Sequence, residues 1–352
     1  MSNKHENPFN ISFGEEPNSL IDRQLEFNEI VGLFESSNPE SKIKIITGPR
    51  GCGKTVLLSQ IKGYFDEKPN WITADLTQYS NMLGQLAGKL YENGKIKKLF
   101  LNTEFNFSFK GFGFTIRGDN PISNVESFLD KIFTYLKRKN INVLVVIDDV
   151  ANNDYVKHFI QTYQIFLRSK YNVFLLMTGL FENISDLQNV KNLTFLLRAP
   201  KIKLSKLNIR AIAMSYKKYL NLDENDAIEL AKSTNGYAYA YQLMGNALFK
   251  NNAKKLDEDA TNAIDLELEN NVYGKIWESM STTDKSLAYA MTRYSLVGDL
   301  IKELGMNNAK FQMYRKRLID FGVADDSVRG SLTFNLPRFK EYVMFQKALL
   351  DD

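Results

Sequence analysis

Gly48-Pro49-Arg50-Gly51-Cys52-Gly53-Lys54-Thr55 reads G-x-x-x-x-G-K-T. Before it, Lys42-Ile43-Lys44-Ile45-Ile46-Thr47 is apolar and β-branched, the pattern of a buried strand; after it, Val56-Leu57-Leu58-Ser59-Gln60-Ile61 continues as a helix. Strand, glycine loop and helix start are the three parts of a phosphate-cradling P-loop. Wrapping backbone N–H groups around phosphate oxygens needs dihedrals and a close approach that Gly48, Gly51 and Gly53 permit. The helix that follows turns its unpaired N–H groups and dipole toward anions. Lys54 is expected to reach the β- and γ-phosphates, and the Thr55 hydroxyl to ligate Mg²⁺. The expected ATP/ADP contacts thus run from Gly48 through Pro49, Arg50, Gly51, Cys52, Gly53, Lys54 and Thr55 to Val56. Cys52 is read as a small filler that contributes its backbone.

A second stretch supports the first. Val143-Leu144-Val145-Val146-Ile147 is a near-continuous apolar run that ends in Asp148-Asp149. Such runs suit strands buried on both faces of a parallel sheet, and ligands bind at the carboxyl ends of those strands. Asp148 is expected to hold Mg²⁺ through water, and Asp149 to orient or deprotonate the attacking water. Asn172–Gly179 reads as another core strand, which puts Thr178 where it can sense the γ-phosphate or position water. Trp71–Leu76 and the short Lys201–Leu204 complete the strand signals. Strands alternating with helices predict an α/β domain with a mainly parallel sheet, over 41–205. Around 103–118, Phe105, Phe107 and Phe109, then Phe112, Phe114 and Ile116, alternate with other residues on either side of Gly111. Period two predicts an inserted β-hairpin, either packed on its own domain or offered to a partner or DNA.

Residues 1–40 read as an extended lead-in and a helix. From Lys206 the strand signal ends, and helical segments predict an all-helical domain over 206–278. Gly236, in Ser233-Thr234-Asn235-Gly236 between two helices, is an expected edge of the nucleotide site. Over 279–352 the order changes to three helices, two short strands flanking a polar turn, and a last helix, the order of a winged helix.

Composition narrows the classes. The chain has 352 residues and a net charge of +4, too mild to argue for nucleic acid by itself. One cysteine excludes an internal disulfide and fits a reducing compartment. Only two histidines, His5 and His158, occur far apart, which argues against a histidine-based metal site or triad. No long apolar run predicts a membrane span, and the first seven residues lack an apolar signal core. A cytoplasmic protein without a membrane partner is expected.

Together the glycine loop, the Asp148-Asp149 strand, the Thr178 strand, a helical lid and a terminal winged helix resemble the AAA+/STAND superfamily of P-loop ATPases. The archaeal-type branch, related to the origin-recognition ATPases, is most similar. The resemblance implies that Asn7-Pro8-Phe9 and Ile21-Asp22-Arg23 cap the adenine, which adds Ile21 and Arg23 to the expected nucleotide contacts. It implies that Gly236–Leu243 carries the lid's sensor 2, although no clear arginine occupies it. It also implies that Arg198, just before the last core strand, reaches the γ-phosphate of a neighbouring subunit. Thr178 stands where an asparagine or arginine is often found, and both departures suggest slow hydrolysis. Two functions follow. One is an ATP-switched protein that binds duplex DNA through Lys310, Arg315, Lys316, Arg317 and Arg329. The alternative is a STAND-type signalling or defence ATPase whose winged helix makes protein contacts, as a homo-oligomer or with a protein partner.

Overall fold

The computed structural model describes residues 6–11, 17–94, 96, 108–109, 114–115 and 125–351. They fall into two compact units. One comprises Arg23–Thr47 and Lys54–Lys203; the other comprises the described residues of Met1–Asp22, Gly48–Gly53 and Leu204–Asp352.

The first unit is built on a five-stranded sheet. Its strands are β1 (Ile43–Thr47), β2 (Trp71–Leu76), β5 (Asn142–Ile147), β6 (Val173–Gly179) and β7 (Lys201–Lys203). They lie in the order β2-β5-β6-β1-β7, and every pairing is parallel. Val143–Ile147 and all of β6 are buried, as the apolar runs require of central strands covered on both faces. Helices α1 (Gln24–Glu35), α2 (Lys54–Asp66), α3 (Met82–Glu92), α4 (Val125–Arg138) and α5 (Asp154–Arg168) alternate with the strands. A further helix, α6 (Phe181–Asn189), and a 3₁₀ turn, Thr194–Arg198, lead to β7 and were not distinguished in the sequence. Register pairs Leu76 with Ile147, Ile147 with Met177 and Thr47 with Gly179. β2 and β5 therefore end level, β6 and β1 run two residues further, and the residues just beyond them share one edge. Of the expected hairpin, β3 (Ser108–Phe109) pairs antiparallel with β4 (Phe114–Thr115). Phe105, Phe107, Phe112 and Ile116 lie outside the described residues.

The second unit is helical: α7 (Ile209–Leu220), α8 (Glu224–Ser233), α9 (Ala238–Asn251), α10 (Glu258–Leu268), α11 (Gly274–Ser279), α12 (Thr282–Met291), α13 (Val297–Leu304), α14 (Asn308–Asp320) and α15 (Phe339–Asp351). Strands β8 (Ala324–Asp325) and β9 (Thr333–Phe334) pair antiparallel between the last two helices. Periodicity predicts one helix over Asp257–Glu278. The structure divides it with a π-helical turn, Glu269–Tyr273, which directs Val272 and Tyr273 inward. The buried Tyr273 hydroxyl donates to the Pro337 carbonyl.

The expected lid, 206–278, and the expected terminal module, 279–352, are tied within this unit. Lys206 pairs with Asp325 at 3.1 Å, the Asn235 amide donates to the Asn335 carbonyl at 2.7 Å, and Arg338 forms a two-pronged pair with Asp265. The lead-in is stitched to α9. Phe9 is buried among Tyr216, Tyr219 and Tyr241, with ring centroids 5.7–6.1 Å away. A Cβ at Gly245 would overlap the Phe9 ring, so the helix needs glycine there.

Candidate active site

Gly51 and Gly53 have φ of 68° and 93°, the left-handed region that glycine enters without steric cost. At Gly48 the constraint is space, since a Cβ would lie 2.7 Å from the Cys52 sulfur. Cys52 is buried, as a filler under the loop. Two tyrosines at the start of α9 hold the loop. The Tyr237 hydroxyl donates to the Arg50 carbonyl at 2.7 Å, and the Tyr239 backbone N–H donates to the Gly51 carbonyl at 3.1 Å. The first N–H groups of a helix have no partner inside it, and one of them finds its acceptor here. Burial pushes the Tyr237 phenol far above its ordinary range, so it stays a protonated donor. On another side of the loop, a Cβ at Gly322, just past α14, would overlap Pro49.

At the carboxyl edge of the sheet, both oxygens of Asp148 are engaged. Thr55 donates its hydroxyl to Oδ2 at 2.7 Å, and the fully buried Thr178 donates its hydroxyl to Oδ1. Asp149 lies in the left-handed region at φ 48°, held from both sides. Its N–H donates to the Thr178 hydroxyl at 2.9 Å, and its carbonyl accepts the Gln78 side-chain amide at 2.6 Å. Gln78 Oε1 also accepts the Ala151 N–H at 2.7 Å, and the Thr178 carbonyl accepts the Val150 N–H at 2.8 Å. The Asp149 carboxylate is exposed and accepts no hydrogen bond from a described residue. Its backbone, rather than a partner for its carboxylate, aims it.

Gln78 is the residue that reading the sequence missed. It is buried just past β2, and Asn153, the cap of α5, also donates to its carbonyl at 3.2 Å. Its signal was a polar side chain just beyond a core strand, the same placement that singled out Asp148. Lys54 is buried at the start of α2; Val56, on the same helix, is half-buried. Arg198 is exposed at the end of the 3₁₀ turn and forms no ion pair with a described residue. Arg23 is buried and pairs with Glu26 at 3.5 Å, while Ile21 packs on the core of the helical unit. Gly236 has φ 72° and approaches Leu207 closely: its carbonyl accepts the Leu207 N–H at 2.8 Å, and a Cβ would lie 2.7 Å from the Leu207 carbonyl oxygen.

Oxygen donors suit Mg²⁺, which favours one or two protein ligands, with water and substrate phosphates completing its shell. The Thr55 hydroxyl and the Asp148 carboxylate meet at 2.7 Å and form a donor set of that kind. Among the described residues no group of three or more His, Cys, Asp or Glu side chains could form an all-protein metal cage. No described helix is long and apolar enough to cross a membrane.

An ATPase domain predominantly from Archaea matches residues 20–224, and a domain of unknown function, DUF8462, matches residues 270–343. No curated protein matches the chain. Among solved structures, the Aeropyrum pernix ORC2 protein in its ADPNP–ADP complexes is similar over 96% of this chain and 98% of its own, at 12% identity and a TM-score of 0.57. Cdc6p from Pyrobaculum aerophilum is similar over 95% of this chain and 96% of its own, at 16% identity and a TM-score of 0.48. The likeness to the ORC2 protein is one of fold: an α/β P-loop core with a parallel sheet, followed by helices.

Proposed function

The chain belongs to the family of ATPase domains found predominantly in Archaea, and from that membership we propose a slow, Mg²⁺-dependent ATPase whose nucleotide state switches its C-terminal module. The observation that carries this reading is the unlike treatment of two adjacent carboxylates. Asp148 is bracketed by the Thr55 and Thr178 hydroxyls, whereas the Asp149 carboxylate is aimed by its backbone and left open. The first suits a metal-holding acid and the second a base that takes a proton from water at its carboxylate oxygen. When bound at Thr55 and Asp148, Mg²⁺ would offset the charge of the substrate phosphates. Lys54 would bring a fixed positive charge to the β- and γ-phosphates.

Slow turnover is supported by two features. The Thr178 hydroxyl is engaged by Asp148 and Asp149, and α9 begins with tyrosines against the loop where an arginine would sense phosphate. The test is Asp149→Asn. It should keep ATP bound while turnover falls by about 100-fold or more. An unchanged rate would move the base elsewhere.

For the winged helix proposed over 279–352, DNA contact would rest on basic side chains along α14 and the β8–β9 turn. Lys310, Lys316 and Arg329 are exposed. Arg315 is instead paired with Asp326 at 2.7 Å, and Arg317 with the buried Asp284 at 2.8 Å. Those pairs favour the second reading, in which this module contacts protein. Duplex binding measured at low salt with ATP separates the two readings. Affinity that falls steeply with salt and is lost in a Lys310→Ala, Lys316→Ala, Arg329→Ala variant supports DNA contact. No binding by the unaltered protein removes it.

A further inference from the structure

The loop Gly48–Gly53 is held by main-chain carbonyls, and a trans peptide gives such contacts a direction. All described peptide bonds are trans, so each C=O points away from the N–H of its own peptide plane. The Tyr237 hydroxyl holds the Arg50 carbonyl, whose plane carries the Gly51 N–H. The Tyr239 N–H holds the Gly51 carbonyl, whose plane carries the Cys52 N–H. Both contacts turn the Gly51 and Cys52 amides away from α9, and successive backbone amides of a glycine loop are the kind of donor that cradles an anion.

We propose that Tyr237 is a positioning residue for phosphate, its hydroxyl holding the loop amides in their anion-binding orientation before nucleotide arrives. The proposal rests on the ATP-binding reading given above and extends it to a residue outside the loop. Several features converge on it. Tyr237 is buried, so its hydroxyl has no competing solvent. Its phenol stays protonated because burial disfavours the phenolate. A Cβ at Gly51 would overlap the Tyr237 hydroxyl, so the loop residue and the tyrosine are matched in shape. Tyr237 immediately precedes α9, whose first turn supplies the second contact, so tyrosine and helix act on the loop from one rigid element. An amide already pointing at its ligand costs no reorganisation on binding.

The experiment titrates a fluorescent ADP analogue and, separately, adenosine into the full chain carrying Tyr237→Phe. Tyr216→Phe serves as the matched control. Tyr216 is buried as well and also donates its hydroxyl to a main-chain carbonyl, that of Tyr241 at 2.8 Å. Tyr237→Phe should weaken ADP by about fivefold to tenfold, the worth of one hydrogen bond, and leave adenosine unchanged. Tyr216→Phe should lower the melting temperature and leave ADP affinity unchanged. If Tyr237→Phe does not melt cooperatively, Tyr237→Met carries the same expectation. Unchanged ADP affinity in the Tyr237 variant, an equal loss for adenosine, or an equal loss in the Tyr216 control would overturn the proposal. An unaltered protein that binds no ADP would remove the ATP reading and the proposal with it.

Discussion

Asp149 stands in a backbone conformation that costs an L-residue about 1–2 kcal/mol, at φ 48°. Its surroundings offset that cost through its own N–H and carbonyl, which Thr178 and Gln78 engage. Gln78→Ala should therefore act on the rate. The substitution leaves the Asp149 carbonyl and the Ala151 N–H without their partner and frees the aspartate to relax. Turnover is expected to fall by about tenfold or more, while ATP affinity stays within about twofold, because no group proposed to touch phosphate is altered. Steady-state kinetics beside equilibrium binding read the split, and equal losses in both would make Gln78 a general stabiliser. Lys54→Ala gives the opposite pattern. It removes the charge-assisted contacts expected of Lys54, and ATP binding itself should be lost. Equal nucleotide affinity and turnover in that variant would end the nucleotide assignment of the loop.

At the level of elements, α14 and α12 are joined by an ion pair that changes how α14 is read. Asp284 is fully buried and closes a capping box with Ser281, whose N–H donates to Asp284 at 2.9 Å. Arg317 supplies the cation at 2.8 Å. Arg317→Ala leaves a buried carboxylate with its cap alone and should cost about 1–3 kcal/mol in urea unfolding. Lys316→Ala, on the exposed face, should cost close to nothing. An arginine variant as stable as the lysine variant would show that the pair contributes little. In sequence Arg315, Lys316 and Arg317 read as one basic run, because helical spacing says which residues share a face and not which acids from elsewhere in the chain meet them. The same limit explains the rest of what was legible. The glycine loop, the Val143–Ile147 run with Asp148-Asp149 at its end, and the parallel sheet each announce themselves within a few consecutive residues. Gln78 and Tyr237 act on backbone groups 71 and 187 positions away, and no local period encodes such a pairing. In sequence the tyrosines at the start of α9 mark only a segment without an arginine. The π-helical turn reads in sequence as plain helix, since one extra residue in a turn leaves the apolar spacing almost intact.

For the whole molecule, the exposed Arg198 carries the proposal of an assembly. It ends the 3₁₀ turn before β7, and arginine suits a bidentate fork to phosphate. If it serves a neighbouring copy, Arg198→Ala and Lys54→Ala proteins, each inactive alone, should recover turnover on mixing, at interfaces pairing an intact loop with an intact arginine. Turnover per chain should then rise with protein concentration. A rate independent of concentration, with Arg198→Ala as active as the unaltered chain, would dismiss the idea. The loop carries a consequence for timing as well. Its carbonyl at Arg50 waits for a hydroxyl 187 residues further along, and a ribosome adds about 5–20 residues each second. For roughly 10–40 s of synthesis the glycine loop exists without the tyrosine that holds it. A nascent chain stalled before Tyr237 should therefore take up nucleotide more weakly than the finished one, so that the order of synthesis itself delays the moment at which ATP can be held.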